Sequence, residues 1–307
     1  MTLVSLFHSI FWYIFFCFIG KYFKPLKVLQ GHSASVNSIT FSPDGTKLVS
    51  SSDDSTVRIW DVASGTNIQV LKGHSNSVNC ARFSPDGKII VSCSSDETIR
   101  LWDVDSGDVK EVIHYPFSIQ KVQFCPDGQK IISRSISGIV QTWDLVSNQK
   151  ITLNINESSD FRLSPNGQLI LSNNSSKITI LNPKSGDKLH ELRVYTSTLS
   201  AQFSADGKTM LCYYRDKIIR LYDLVLEREV KTLKGHSADI TDVKLLQDYR
   251  TIVSCSDDKT IRLWDLKYAI EVQRLIGHSE GITEIDASAS GTTLASSSRD
   301  NTIRLWG

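Results

Sequence analysis

The chain has 307 residues, and its 34 lysines and arginines almost balance its 33 aspartates and glutamates. This balance leaves no large basic field for binding nucleic acid. Six cysteines are scattered along the chain without a C-x-x-C pair, a pattern that favours a reducing compartment over a disulfide framework.

The first element along the chain is an apolar segment, residues 1–24. Within it, Leu3 to Ile19 has no formal charge apart from protonation of His8, and its 17 residues lie at the lower limit for a membrane helix. One interpretation is a membrane anchor, and the lysines that follow would then keep the rest of the chain on the cytosolic side. A signal peptide is a second, although the start lacks a basic residue and a good cleavage site. The third is an apolar extension packed on the rest of the chain, or a poorly defined start of the coding region.

The rest of the chain is built from a segment copied at regular spacing. The octet Asp96-Glu97-Thr98-Ile99-Arg100-Leu101-Trp102-Asp103 has three close copies, at residues 54–61, 258–265 and 300–307. Weaker copies place Trp143, Leu181 and Tyr222 in the tryptophan position. The seven positions run from Trp60 to Trp306 in six steps that average 41 residues, which is the length of a four-stranded propeller blade.

Turn signals divide each unit into strands. Ser42-Pro43-Asp44-Gly45 is one of several Pro-Asp-Gly turns, in which proline presets φ and glycine accepts a positive φ. Between turns the apolar side chains alternate, as Ile99 and Leu101 do, and this period predicts strands. No window supports a long amphipathic helix, so we expect an all-β chain.

These units resemble WD40 repeats, whose signature is Gly-His near the start and Trp-Asp near the end. The resemblance covers about residues 28–307. It implies a seven-bladed β-propeller of the β-transducin type, with four antiparallel strands per blade. The repeats are expected at about residues 29–70, 71–112, 113–152, 153–190, 191–232, 233–274 and 275–307, within a propeller domain at 25–307.

The last unit stops at Gly307, just after its third strand. Residues 25–29 match the outer strand that this unit lacks. We therefore expect the N-terminal strand to join the last blade, which closes the ring and leaves no long unpaired edge.

Histidine, serine and aspartate recur together and raise the question of a hydrolase triad. A catalytic site is normally built once, whereas this set occurs on four blades, so we expect a structural role. The resemblance implies a buried hydrogen-bond chain from indole through hydroxyl and imidazole to carboxylate. We expect no catalytic residue, no metal site and no cofactor. The residues assigned to the chain are His32, Asp54, Trp60, His74, Asp96, Trp102, His236, Asp258, Trp264, His278, Asp300 and Trp306.

Blades three, four and five lose this pattern. One interpretation is drift, which a ring tolerates while neighbouring blades still close the core. The other is a docking sector, because tyrosine and arginine are typical interface anchors, although some of these side chains could instead replace the lost core. Candidate anchors in the sector are Tyr115, Phe117, Tyr195, Tyr214 and Arg215. Loops that differ between the other blades add Ala34, Asn76, Asp239 and Glu280 as surface candidates.

The function expected from the resemblance is a non-enzymatic scaffold for protein–protein interaction, with other proteins or peptides as partners and no nucleic acid. We expect a monomeric propeller in the cytoplasm, or one held at a membrane through residues 3–19 and facing the cytosol. The alternative is a substrate-recognition or adaptor subunit of a larger enzyme complex, of the ubiquitin ligase or chromatin type. No F-box-like or coiled-coil segment precedes the propeller, and no single-copy catalytic set supports an enzyme.

Overall fold

A computed structural model of the chain describes residues 22–153, 160–164, 166–174, 177–183, 185–193, 198–204, 209–224 and 228–307. Within these residues the strands form seven four-stranded antiparallel sheets, and no helix is present. The prediction of an all-β, seven-bladed propeller is therefore confirmed. The predictions for residues 3–19 and for Tyr195 lie outside the described residues. In the described part of the chain, no helix is long and apolar enough to cross a membrane.

The strands follow one another in the order expected of blades. The first strand is β1 (Pro25–Leu29). Blades one to three contain β2 (Val36–Phe41), β3 (Lys47–Ser52), β4 (Thr56–Asp61), β5 (Asn67–Lys72); β6 (Val78–Phe83), β7 (Ile89–Ser94), β8 (Thr98–Asp103), β9 (Val109–His114); β10 (Ile119–Phe124), β11 (Lys130–Ser135), β12 (Val140–Asp144), β13 (Lys150–Leu153). Blades four and five contain β14 (Asp160–Leu163), β15 (Ile170–Asn173), β16 (Lys177–Leu181), β17 (Lys188–Arg193); β18 (Thr198–Phe203), β19 (Thr209–Tyr214), β20 (Ile218–Asp223), β21 (Arg228–Lys234). Blades six and seven contain β22 (Ile240–Leu245), β23 (Thr251–Ser256), β24 (Thr260–Asp265), β25 (Ile270–Ile276); β26 (Ile282–Ala287), β27 (Leu294–Ser298), β28 (Ile303–Trp306) and β1.

The core lies between neighbouring blades. Val57 and Ile59 of blade one share a buried cluster with Ala81, Phe83 and Trp102 of blade two. Since each blade buries one face against the next, no blade completes its core alone.

The ring closes through the N-terminal strand, as the sequence predicts. β1 pairs antiparallel with β28, with Leu29 opposite Ile303. The amides of Lys24 and Gly307 each donate to the other's carbonyl at 2.9 Å. Phe23 is 2% exposed and lies in a cluster shared by blades six and seven. Phe23 and Lys24, which the sequence placed in the N-terminal segment, thus contact the propeller.

Candidate interaction surface

A buried hydrogen-bond chain fixes the frame of blade two. The indole Nε1 of Trp102 donates to Ser92 Oγ at 2.8 Å, and Ser92 Oγ lies 2.7 Å from His74 Nε2. The other nitrogen of the same imidazole, His74 Nδ1, lies 2.8 Å from Asp96 Oδ2. The strand before Asp96 carries two serines, Ser92 and Ser94. Ser92 is the member, while Ser94 accepts a bond from the Asp96 amide at 3.0 Å.

Blades one, six and seven repeat this arrangement. The imidazole–carboxylate distances, Nδ1 to Oδ2, are 2.7 Å for His32–Asp54, 2.8 Å for His236–Asp258 and 2.9 Å for His278–Asp300. The indole–hydroxyl distances, Nε1 to Oγ, are 2.8 Å for Trp60–Ser50, 2.8 Å for Trp264–Ser254 and 3.0 Å for Trp306–Ser296. The geometry thus joins every residue that the sequence assigned to these chains.

The electrostatics of the chain suit a structural role. Burial raises the pKa of Asp96, but hydrogen bonds from Thr98 and His74 outweigh it and lower the pKa to about 2. Burial lowers the pKa of His74, so its imidazole is neutral near pH 7. Ser92 has no exposed surface, so its hydroxyl is out of reach of a substrate.

Two of the expected surface anchors are buried. Tyr115 is 8% exposed, and its hydroxyl lies 3.0 Å from Ser133 Oγ, where an imidazole would stand in a complete blade. The indole Nε1 of Trp143 in the same blade is buried without a partner. Tyr214 is 1% exposed. Because both tyrosines are buried, neither can serve as a docking residue, and the prediction for these two is wrong.

The other described candidates lie at one end of the sheets, which we name the upper face. It contains the loops between blades and the turns between the second and third strands of each blade. Ala34 is half-buried there. The exposed candidates are Asn76, Phe117, Arg215, Asp239 and Glu280.

The upper face also holds a set of equivalent positions of which sequence reasoning found only Arg215. In each blade, one residue directly precedes the position that holds the aspartate of the hydrogen-bond chain in the complete blades. Its amide can be fixed by the preceding loop, as when Ile136 N donates to Ser118 O at 2.8 Å and Arg299 N donates to Gly281 O at 3.0 Å. We call this set the mouth ring: Asp53, Ser95, Ile136, Asn174, Arg215, Asp257 and Arg299. A signal was available in the sequence, because this variable position stands between a repeated serine and a repeated aspartate in the four complete units.

Ion pairs fill the central channel below the ring. Arg162 Nη2 of blade four lies 2.9 Å from Asp242 Oδ1 of blade six, so the pair reaches past blade five. Arg82 of blade two and Glu284 of blade seven form a second pair that reaches past blade one. These pairs balance the charge of the channel wall.

The WD40 family model, described as WD domain, G-beta repeat, matches residues 23–61, 65–103, 227–265 and 270–307. Together these matches cover half of the chain. The chain belongs to the WD40 repeat family. The four WD40 matches end on the third strands of the blades with a complete hydrogen-bond chain, whereas the third and fourth blades lie outside them.

Similar proteins share single WD40 repeats with this chain. The vegetative incompatibility protein HET-E-1 of Podospora anserina is 55% identical over 40 residues, or 13% of this chain and 3% of that protein. The WD40 repeat-containing protein HOS15 of Arabidopsis thaliana is 42% identical over 53 residues, or 17% of this chain and 8% of that protein. Protein HIR1 of Kluyveromyces lactis is 46% identical over 43 residues, or 14% of this chain and 5% of that protein. Each match thus spans less than a tenth of the relative's length.

Proposed function

We propose that this WD40 propeller is a non-enzymatic scaffold that binds other proteins through the mouth ring of its upper face. The observation that carries the proposal is chemical variety on a repeated frame. Blade-building residues recur almost unchanged in the four complete blades, whereas one equivalent position holds aspartate in two of them (Asp53, Asp257), serine in another (Ser95) and arginine in the fourth (Arg299). Loops held on a rigid scaffold are where proteins commonly place binding residues.

The third blade places two exposed apolar side chains, Ile136 and Phe117, on this face. Ile136 is 65% exposed and Phe117 is 44% exposed. The bond between Ile136 N and Ser118 O brings the ring residue beside the loop that carries Phe117. Charged side chains stand elsewhere on the ring, where Arg299 Nη1 lies 3.0 Å from Asp257 Oδ1. An apolar anchor inside a polar rim is the usual make-up of a protein interface.

Affinity purification with quantitative mass spectrometry tests the proposal. The double variant Ile136→Ser/Phe117→Ser is expected to recover partners at least about tenfold less well than the unaltered chain, which corresponds to about 1.4 kcal/mol. Tyr268→Ser is the matched control, because Tyr268 is 55% exposed on the turn between β24 and β25 at the opposite end of the sheet. Equal recovery by all three proteins would contradict the proposal.

The same experiment distinguishes the adaptor alternative. Stoichiometric recovery of a catalytic subunit would indicate a substrate-recognition or adaptor subunit of a larger enzyme complex. Recovery of partners without one would favour a free-standing scaffold. We also propose a reducing, cytoplasmic setting, since Cys80, Cys93, Cys125, Cys212 and Cys255 are buried free thiols.

A further inference from the structure

Two cysteines face each other across neighbouring strands of blade two. Cys80 on β6 is the direct register partner of Cys93 on β7. Residues directly opposite in antiparallel strands have Cα atoms about 4.5–5.5 Å apart, which lies within the range that a disulfide spans. The equivalent pair of blade one shows how close these side chains come, because Ser38 Oγ and Ser51 Oγ are 2.8 Å apart.

The pair lies beside the central channel. Cys80 lines a cavity of about 510 Å³, together with Arg82 and Lys121. Cys93 lies behind Cys80 and has no exposed surface. A small oxidant in the channel therefore meets Cys80 first, and Cys93 is the neighbour placed to react next.

Two cations lie near Cys80 at the channel wall, Arg82, which pairs with Glu284, and Lys121, which pairs with Asp160. A hydrogen bond from Cys93 and the charges of Arg82 and Lys121 lower the pKa of Cys80 well below its usual value, although burial opposes them. Burial raises the pKa of Cys93. Reactive cysteines typically combine nearby cations with some access from solvent, and Cys80 is 3% exposed at the wall of the channel.

The other described cysteines lack this arrangement. Cys255 stands opposite Asp242 and Cys212 stands opposite Ala201, so neither has a second thiol as its partner on the preceding strand. Burial raises the pKa of both thiols. Among the described cysteines, the side-by-side pair near cations occurs in blade two.

We propose that Cys80 and Cys93 form a site of reversible oxidation by hydrogen peroxide, with Cys80 as the attacking thiol and Cys93 as the resolving thiol. The sulfur of Cys80 attacks one peroxide oxygen, the O–O bond breaks, and the leaving hydroxide takes the Cys80 proton as water. The sulfur of Cys93 then attacks the sulfenic acid sulfur of Cys80. The S–O bond breaks, and the second hydroxide leaves as water with the Cys93 proton.

Peptide mapping of the full chain tests this site directly. The reduced protein is treated with hydrogen peroxide at neutral pH, unfolded in the presence of N-ethylmaleimide, and digested with trypsin. Trypsin cleaves after Lys72, Arg82, Lys88 and Arg100, so the two cysteines fall on separate peptides, 73–82 and 89–100. The expected product is these two peptides joined by a disulfide, while Cys212 and Cys255 carry N-ethylmaleimide.

Serine variants assign the roles of the two thiols. In Cys93→Ser, Cys80 is expected to remain a sulfenic acid that dimedone traps. In Cys80→Ser, dimedone labelling of Cys93 is expected to be at least about tenfold lower, because Cys93 has no exposed surface and the thiol that lines the channel is gone. Both variants should fold, since blade one holds Ser38 and Ser51 in the same positions, and circular dichroism checks this. The unaltered chain alone can overturn the proposal. It does so if Cys80 and Cys93 remain free thiols after excess peroxide, or if Cys212 or Cys255 is oxidised faster.

Discussion

At the scale of single residues, Asp96 is the acceptor on which the hydrogen-bond chain of blade two ends. Its carboxylate accepts bonds from His74 Nδ1 at 2.8 Å, Ser75 N at 3.0 Å and Thr98 N at 2.9 Å. Asp96→Ala leaves these donors without their acceptor, and an unsatisfied buried group costs about 1–3 kcal/mol. We expect the free energy of unfolding, measured by urea denaturation, to fall by about that amount.

Asp216 provides the matched control, because it holds the same position in blade five without the buried chain. Its carboxylate is exposed and pairs with Arg220, whose Nη2 lies 2.6 Å from Asp216 Oδ2. Exposed ion pairs contribute about 0–1 kcal/mol, so Asp216→Ala should have the smaller effect. Equal losses in the two variants would show that the hydrogen-bond chain does not stabilise blade two.

The hydrogen-bond chains of the complete blades also predict how the stability of the fold depends on pH. The pKa values of His74 and His278 are lowered by burial, so the folded chain binds fewer protons there than the unfolded chain. Stability is therefore expected to fall as pH drops below about 6.5, the ordinary pKa of histidine. The carboxyls of Asp96 and Asp300 have pKa values of about 2, so a second loss begins near pH 4 and continues to pH 2.

Urea denaturation at pH 7, 6, 5 and 4 measures this dependence. In His74→Gln, the slope between pH 7 and pH 5 should be smaller than in the unaltered chain, because one titrating group has been removed. Stability that rises between pH 7 and pH 5 would contradict the assignment of neutral imidazoles.

Tyr115 shows that residue type alone is a poor guide to where a side chain lies. Tyrosine is a common interface anchor, and this general preference placed Tyr115 on the surface. The structure buries it because its hydroxyl reaches Ser133 Oγ at 3.0 Å. Spacing could have found this, since Tyr115 precedes Ser133 by 18 residues, as His74 precedes Ser92.

At the scale of elements, one turn of blade six carries backbone strain. Tyr249 has a φ of 52°, whereas the equivalent turns of blades one and two use Gly45 and Gly87 with φ of 72° and 73°. A side chain in the left-handed region costs about 1–2 kcal/mol, of which the flexibility of an unfolded glycine cancels a part. Tyr249→Gly is therefore expected to raise the free energy of unfolding by up to about 1 kcal/mol in urea denaturation.

The reverse exchange in blade one is the control for this turn. A Cβ at Gly45 would meet its nearest atom at 3.9 Å, so Gly45→Tyr tests the backbone conformation rather than a clash at Cβ. Its expected effect has the opposite sign. If Tyr249→Gly destabilised the chain, contacts of the tyrosine ring would outweigh the strain.

This turn also shows which part of an element sequence can predict. Leu246-Gln247-Asp248-Tyr249 lacks the Pro-Asp-Gly signal of blade one, yet the same turn forms. Its aspartate is the part that persists, because Asp248 Oδ1 accepts from Arg250 N at 2.9 Å as Asp44 Oδ1 accepts from Thr46 N at 3.0 Å.

At the scale of the whole molecule, the repeat period predicted the blades and their number, because every blade repeats the residues that build it. The ion pairs of the channel were beyond such reasoning. Arg82 and Glu284 are 202 residues apart in sequence, and Arg162 and Asp242 are 80 apart. Arg82 and Arg162 hold one equivalent position of their blades, and Asp242 and Glu284 hold another. Because both positions vary among the other blades, only the closed ring reveals which residues meet.

Closure of the ring gives the last prediction. Deleting residues 1–29 removes β1 and leaves the outer edge of β28 unpaired. The deletion also removes Phe23 and Leu29, each 2% exposed, and truncation of such buried side chains typically costs about 2–5 kcal/mol apiece. We expect a clear loss of Tm by circular dichroism and, by size-exclusion chromatography, self-association through the open edge.

A peptide added in trans separates closure from any other effect of the deletion. Residues 22–30 as a free peptide should raise Tm increasingly with peptide concentration, because they pair with β28. They also return Phe23 to the core between blades six and seven and Leu29 to the core between blades seven and one. The same peptide with Phe23→Ala and Leu29→Ala keeps the backbone donors and acceptors but lacks the buried side chains, so it should restore little. An unchanged Tm after the deletion, or equal rescue by both peptides, would mean that β1 does not close the ring through its buried side chains.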